Sequence, residues 1–415
     1  DHGIAITPAR QNQPNSSAGY VRHRPETTLL YQLVQEYWPE FQAELASQDK
    51  YLPAYVTQEF EAYLKCGRLE HGFLRVRCEA CHDEKLVAFS CKKRGFCGSC
   101  GARRMADSAA LLVDEILPHQ PMRQWVLSVP FPLRLLFARQ PAVMGKVLGI
   151  AYRTIATYLI RKSGHTKATA KTGAVTLIQC FGGTLNLNIH YHMLFLDGVY
   201  IDNADKSRLR FRWVKAPTND ELTHLTHTIA HRVARYLERQ GLLERDAGHT
   251  YLTADGVDED PESPMNQLLG SSITYRTAVG PQQGRKVFTL QTLPDESDCL
   301  SSSTVGKTAG FSLHAGVATK ANERAKLERL CRYITRPAIA TKRLSLTRNG
   351  QVRYELKTPW RNGTTHVIFE PLDFMYRMYG MPRAQGCAGA AISRLVSLVP
   401  RPRVMTWSTY LIQPS

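Results

Sequence analysis

The sequence predicts an α+β fold with a mostly antiparallel sheet. Strand-like segments and segments of helical periodicity alternate along the chain, and two strand pairs are joined by short glycine turns, at Gly182-Gly183 and Asn349-Gly350. No internal repeat is present, so a solenoid is not expected.

The elements follow in order. Residues 1–25 are polar and irregular, and they lack the charged start and apolar stretch of a secretory signal. From Glu26 to Lys65 the apolar residues Leu29, Leu30, Leu33, Val34 and Tyr37, then Phe60, Tyr63 and Leu64, recur at helical spacing. This predicts a helical module over 26–65, interrupted around Pro39 and Pro53. A cysteine-rich segment follows over 66–110. Gln124 to Val129 reads as a buried strand stopped by Pro130, and Ala142 to Arg161 as a helix carrying Val143, Val147, Ile150, Ile155 and Leu159. Ala174 to Phe181 and Leu187 to Leu196 read as an antiparallel hairpin around Gly182-Gly183. Thr218 to Gln240 is a further helix. Ile273 to Val279 and Lys286 to Leu293 are expected to form a hairpin around Pro281 to Gly284, and Glu296 to Lys307 a serine-rich surface loop. Ala321 to Ile334 is a helix that must end before Pro337, with Tyr333 in its last turn. Leu344 to Thr347 and Val352 to Leu356 flank the Asn349-Gly350 turn.

Length and charge narrow the function. A chain of 415 residues has room for two or three domains. The 53 Lys plus Arg against 36 Asp plus Glu give a formal charge of +17 and suit a polyanionic partner, DNA first. No apolar run approaches the roughly 18 residues of a membrane span, so no membrane partner is expected. Of ten Cys, six crowd between Cys66 and Cys100 at metal-like spacings, which fits a reducing, cytoplasmic setting better than a disulfide framework.

Cys78-Glu79-Ala80-Cys81 and Cys97-Gly98-Ser99-Cys100 are two C-x2-C knuckles, and their spacing predicts that each presents two thiolates to one tetrahedral Zn2+. Cys66, His71 and Cys91, with His82 as a further candidate, are left for a second or shared zinc. Lys92, Lys93, Arg94, Arg103 and Arg104 surround the second knuckle and are candidates for phosphate contact. A zinc deaminase is excluded, because it needs an upstream His-x-Glu and a Pro before the first Cys, where Phe96 stands. An ATPase is excluded too: Gly306-Lys307-Thr308 mimics the end of a P-loop, but the required first Gly falls on Ser301.

On a strand, residues two apart share a face, so His190 and His192 can offer two imidazoles to one metal while Tyr191 turns into the core. If the turn pairs residue 177 with 190, Gln179 lies on the same face and is a candidate third ligand, in competition with His314 or an acidic residue elsewhere. Such a set leaves open positions for water and phosphate, as Mg2+ or Mn2+ in a nuclease requires. Tyr333 is then the candidate nucleophile, able to form a covalent phosphate ester, with Arg332 and Arg336 to steady the phosphate.

These residues lie in strings that resemble the insertion sequence common region (ISCR) transposases, which pair an N-terminal zinc-binding domain with an HUH nuclease domain. The resemblance runs from Arg24 to about Met378. It is carried by Glu26-Thr27-Thr28-Leu29-Leu30-Tyr31, the Cys66 to Cys100 cluster, Leu185-Asn186-Leu187-Asn188-Ile189-His190-Tyr191-His192, Gly310-Phe311-Ser312-Leu313-His314-Ala315-Gly316 and Leu330-Cys331-Arg332-Tyr333-Ile334-Thr335-Arg336-Pro337. It implies an HUH domain over 111–378, with a central antiparallel sheet flanked by helices. His190 and His192 become the metal ligands and Tyr333 the nucleophile of a rolling-circle transposase that leaves a 5′-phosphotyrosine. Arg329 occupies the position four before Tyr333, where related enzymes carry a second tyrosine, so the resemblance is to the single-tyrosine branch. Strand transfer then requires one tyrosine used in succession or two protomers, which makes a homodimer one expected state. Single-stranded element ends and a bacterial, nucleoid-associated location are implied as well. A plasmid relaxase or replication initiator shares this chemistry, and a zinc-containing DNA-binding regulator without catalysis is the alternative of another class. Residues 379–415 depart from the family pattern as an atypical C-terminal tail.

Overall fold

A computed structural model describes residues 23–92, 96–201, 210–245, 250–252, 264–278, 282–292, 305–379 and 390–393. The expectations for residues 1–22, Lys93, Arg94, Pro281, most of the serine-rich segment and most of the tail lie outside these residues.

Helices α1 (Leu29–Ser47) and α2 (Ala54–Lys65) form the expected helical module, α1 starting where the Thr28 hydroxyl accepts the Tyr31 N–H. Pro39 lies inside α1 instead of interrupting it. The carbonyl it leaves without a helical donor belongs to Gln35, on the exposed face where water can serve, while Leu33, Val34, Trp38, Phe41 and Leu45 keep a buried stripe running past it. The hairpin of β1 (Phe73–Arg77) and β2 (Glu84–Ala88) then projects from the body, with β1 exposed along its whole length. Helix α3 (Gly98–Leu111) widens into a π-helical turn over Leu112–Ile116.

The elements that position the site come next. They are β3 (Met122–Ser128), α4 (Phe131–Arg139), α5 (Pro141–Lys162), the short β4 (Ala170–Lys171), β5 (Ala174–Phe181) and β6 (Leu187–Leu196). A small outer sheet joins β4 to β7 (Gly198–Ile201) and β8 (Arg210–Trp213). Helix α6 (Asn219–Arg239) opens with a capping box between Thr218 and Glu221, and β9 (Leu243–Arg245) pairs with β10 (Thr250–Leu252). After α7 (Pro264–Ile273) come β11 (Phe288–Gln291), β12 (Val305–Thr308), β13 (Phe311–Thr319), α8 (Arg324–Ile334), β14 (Leu344–Leu346), β15 (Val352–Glu355), β16 (Thr364–Phe369), α9 (Pro371–Tyr379) and β17 (Ala390–Ser393).

The central sheet has the order β12-β13-β3-β6-β5-β17, and every pairing is antiparallel. Its two faces bury different cores. Tyr191, Leu127 and Leu313 stand in register across β6, β3 and β13 and join the core that α5 and α6 cover. The Tyr191 hydroxyl satisfies itself there by donating to the Met144 carbonyl at 3.1 Å. On the reverse face Leu194, Leu196 and Val175 pack against Leu327, Cys331 and Ile334 of α8 and Leu112 and Val113 of the π-helical turn. Helix α5 is long and apolar enough to cross a membrane, with mean hydropathy 1.2, but Val147, Ala151 and Ile155 are fully buried in the core. A further core joins segments far apart in the sequence: α1, α2 and the cysteine segment pack with β14–β16 and α9.

Two expectations change. The expected hairpin around 281–284 is shorter than predicted: among the described residues Thr277 N–H donates to the Arg285 carbonyl, Gly284 N–H to that of Thr277 and Val287 N–H to that of Tyr275. Helix α7 runs to Ile273, a single Arg276–Lys286 bridge follows, and β11 pairs with β16, which lets Val287 pack against the core holding Val367 and Phe369. Val305–Thr308 is strand, not loop. A side chain on Gly306 would meet the α6 backbone at Leu222 within 2.4 Å, so this glycine allows α6 to sit against the sheet edge.

Candidate active site and zinc site

Strand β6 places His190 and His192 on the face that α8 covers, and the hairpin pairs Gln179 with His190 and Leu177 with His192. The expected pairing of 177 with 190 is thus displaced by two residues. A shift of two preserves the face, which is why Gln179 still arrives beside both histidines. Gln179 Oε1 lies 2.9 Å from His190 Nε2 and 3.3 Å from His192 Nε2.

The hydrogen bonds reveal the proton positions. His190 Nδ1 is 2.8 Å from the Asn188 carbonyl, which can only accept, so Nδ1 carries the proton and Nε2 is a lone-pair acceptor. That acceptor faces another, Gln179 Oε1, while Gln179 Nε2 is buried without a hydrogen-bond partner. With the amide turned this way the two acceptors could hold a cation, whereas the opposite orientation would let Gln179 Nε2 donate to His190 Nε2. Cis ligands of an octahedral divalent ion at about 2.1 Å stand roughly 3 Å apart, which matches the separations found. His192 is oriented by a residue that sequence reasoning missed: Gln124 of β3, whose amide is 2.7 Å from His192 Nδ1. Its signal was an amide directly before the apolar run Trp125–Leu127. Half a turn of that amide exchanges donor for acceptor, so Gln124 governs which His192 nitrogen holds the proton. Burial pushes His190 down to about 4 and His192 down to about 3, in each case helped by the charge of Arg336. Both rings are therefore neutral at pH 7.

His314 is on the same sheet face but two strands from His192, through Val126, about 10 Å away. It does not share this centre.

Tyr333, in the last turn of α8, is 38% exposed, and its ring lies 6.3 Å from that of His192, edge to face. Leu327, Cys331 and Ile334 anchor the helix beneath it, and Arg324 ties the helix start to the carbonyls of Val113, Leu117 and Pro118. Two cations flank the phenol: the Arg336 guanidinium 4.2 Å and the Lys357 ammonium 4.1 Å from the ring centroid. Arg336 Nη1 is buried without a hydrogen-bond partner. Lys357 had no distinguishing mark in the sequence. Arg332 does not join the site, because Glu328 one turn earlier holds it at 2.7 Å on the exposed side of α8.

The cysteines regroup. Cys66, Cys91, Cys97 and Cys100 bring their sulfurs within 4.8 Å of one another, with separations of 3.8 Å from Cys66 to Cys97, 3.7 Å from Cys66 to Cys100 and 3.5 Å from Cys91 to Cys100. Four sulfurs at 2.3 Å from one zinc stand about 3.8 Å apart, so the cluster has the size of a closed tetrahedral site. Cys78 and Cys81 are not part of it. They sit exposed at the tip of the β1–β2 hairpin, while Cys66 and Cys91 flank its base. Pairing the two knuckles from spacing alone overlooked the hairpin, which separates them by its own length. His71 is exposed and outside the cluster as well, as is His82. Of the basic candidates, Lys92 has its carbonyl held by Arg104 Nη2 at 2.7 Å, and on α3 Arg103 is exposed and Arg104 half-buried.

The cysteine cluster lies close to the chain that follows α8, the helix bearing Tyr333. A side chain on Gly101 would meet Pro337 at 3.0 Å, one on Gly98 would meet Thr341 at 3.2 Å, and the Thr335 hydroxyl reaches the Met105 carbonyl at 3.4 Å. The cysteine knuckle and α3 thus brace the chain immediately after Tyr333.

Comparison with known families agrees with this division. A family model described as "Putative transposase" matches residues 173–381, half of the chain, and one described as "Transposase zinc-binding domain" matches residues 33–129. The second match and the four-thiol cluster together support a structural zinc. No curated protein and no solved structure matches.

Proposed function

Because the chain belongs to the transposase family whose model spans residues 173–381, we propose that it nicks and rejoins single-stranded DNA at element ends, with Tyr333 as nucleophile and His190, His192 and Gln179 as ligands of Mg2+ or Mn2+. The observation that carries this reading is the Tyr333 ring standing 6.3 Å from that of His192 and between Arg336 and Lys357.

Bound at the three ligands, the divalent ion supplies Lewis-acid polarisation of the scissile phosphate. The protein's own groups do the rest. Arg336 and Lys357 hold the non-bridging oxygens where charge develops, and Tyr333 Oη attacks phosphorus as the bond to the 3′-oxygen breaks. The phenolic proton passes through solvent to the departing 3′-oxygen, leaving a free 3′-hydroxyl and a 5′-phosphotyrosine. Reversal with another 3′-hydroxyl rejoins a strand with no nucleotide cofactor, because the ester keeps the energy of the broken bond. With Arg329 one turn before Tyr333, α8 offers no second phenol, so rolling-circle transfer uses Tyr333 in succession or a second protomer.

The test is covalent capture. The full chain is incubated with a random-sequence single-stranded DNA pool and Mn2+ or Mg2+, and denaturation-resistant adducts are mapped by mass spectrometry. An adduct on Tyr333 that disappears in Tyr333→Phe is expected. Its absence under both metals, or an adduct unaffected by Tyr333→Phe, would overturn the assignment.

A further inference from the structure

A cavity of about 490 Å³ lies beside the active centre, between the tip of the β5–β6 hairpin and the sheet of β11, β14, β15 and β16. Its walls combine Trp360 and Tyr275, whose rings meet edge to face at 6.4 Å, with Thr184, Thr274 and Thr289; the Thr184 and Thr274 hydroxyls donate to Asn186 Oδ1 and the Gly270 carbonyl, so their oxygens can serve only as acceptors. Val367 and Phe369 line it with apolar surface, and Lys286 is exposed among its lining residues. Trp360 is 39% exposed, and its backbone is tied into the turn: its main-chain N–H donates to the Thr364 carbonyl and its carbonyl accepts the Gly363 N–H, both at 2.9 Å. Tyr275 is a non-glycine residue with φ +58°, a conformation that side chains disfavour, and here it lines the cavity.

One short loop ties this cavity to the nucleophile. Lys357 packs on the Tyr333 ring, and Trp360 follows three residues later, at most about 11 Å of extended chain away. A strand whose phosphate lies at Tyr333 therefore passes within reach of Trp360.

We propose that this cavity takes one unpaired nucleobase of the DNA strand held at Tyr333, stacked on Trp360, with the threonine hydroxyls facing its edge and Lys286 on an adjacent phosphate. The proposal rests on the DNA-nicking reading above. The volume lies in the range of small-ligand sites, roughly 300–1,000 Å³. An aromatic face with hydroxyls and one cation suits a base better than a purely apolar ligand. The base must be unpaired, since in a duplex both of its faces are already stacked. The site then adds sequence or position preference at a nucleotide near the nick, independent of the metal ligands.

The experiment uses the full chain and a sequence recovered by the covalent capture described above. Abasic sites are placed one at a time along that oligonucleotide, and binding to Tyr333→Phe protein is measured so that cleavage does not intervene. One position near the nick should lose on the order of tenfold in affinity when abasic. Trp360→Ala in the same background should lose about as much on the intact strand and show no further loss at that position, while Trp360→Phe restores the effect. Free deoxynucleotide monophosphates should compete poorly, which separates a base within a strand from a free nucleotide. The pocket assignment is overturned if no abasic loss is erased by Trp360→Ala, if Trp360→Ala binds the intact strand as tightly as its parent, or if free nucleotides compete fully. Should capture yield no Tyr333 adduct at all, the failure is that of the nicking reading, which is thereby told apart.

Discussion

Gln179 Oε1 faces His190 Nε2 at 2.9 Å, and the Nδ1–H bond to Asn188 makes that imidazole nitrogen an acceptor. Two lone pairs at this distance repel one another unless a cation lies between them. The β5–β6 register sets this arrangement, and Gln179 is the member whose removal tests the proposed metal site most directly.

Gln179→Met keeps the volume and removes the oxygen. It is expected to weaken Mn2+ binding by roughly 10- to 100-fold, and Gln124→Leu, which frees His192 Nδ1, by a similar factor. Gln179→Glu supplies a charged oxygen at the same place and should bind at least as tightly as the parent. Titration calorimetry with Mn2+ on the full chain reads all three. Unchanged affinity in Gln179→Met would mean that the ion, if bound, uses another third ligand.

The buried imidazoles also set a pH dependence in the metal-free protein. Unfolded histidines take up protons near 6.5, whereas burial holds His190 at about 4 and His192 at about 3. Between these values and 6.5 the unfolded chain holds more protons, so stability rises with pH across that window and is lost as the pH falls. Each histidine adds a slope of up to about 1.4 kcal/mol per pH unit there and nothing above it. Chemical denaturation from pH 4.5 to 7.5 should show this slope in the parent and a shallower one in the His190→Gln, His192→Gln double variant.

The sequence was most legible where a single face is buried. The hairpin of β5 and β6 matched its expected limits because apolar residues on two faces and a glycine turn leave few other solutions, and α6 began at Thr218 because its capping box is local. What stayed hidden depended on distant chain segments. Val287 finds its apolar partners in the core holding β16, far along the chain, so the local turn signals gave the turn near 281–284 but not the partner of β11. Lys357 and Gln124 reach the site through tertiary packing that no spacing rule encodes. The cysteine ligands failed for a related reason: spacing counts residues, while the β1–β2 hairpin returns the chain to its starting point and brings Cys91 to Cys66.

Lys357 tests the electrostatic part of the site separately. It lies 4.1 Å from the Tyr333 ring centroid and belongs to neither the metal centre nor a buried ion pair among the described residues. Lys357→Ala is expected to slow adduct formation by about 10- to 100-fold, with the melting temperature and Mn2+ affinity unchanged. Lys357→Arg should recover most of the rate. Rates under single-turnover conditions separate this from a loss of DNA binding, and equal rates in Lys357→Ala and the parent would remove Lys357 from the chemistry.

The regrouped cysteines give opposite expectations for residues of the same type. Cys91→Ser removes a ligand from the four-thiol cluster, which is packed in the core with Phe60, Tyr63 and Phe96. Cys78→Ser alters an exposed thiol at a hairpin tip. If the cluster holds the structural zinc, Cys91→Ser should lower the zinc content and the melting temperature together, whereas Cys78→Ser should leave the tightly held zinc in place. The effect should reach Tyr333 as well, because Gly98 and Gly101 lie close against Thr341 and Pro337, just after helix α8. Adduct formation should therefore fall in Cys91→Ser even at temperatures where the rest of the chain stays folded, and chelation of zinc from the parent should reproduce that fall. Zinc quantification by mass spectrometry, paired with the adduct assay, gives the decision: if Cys78→Ser releases as much zinc as Cys91→Ser, the hairpin tip holds an ion of its own or shares this one, and the brace between zinc and nucleophile loses its basis.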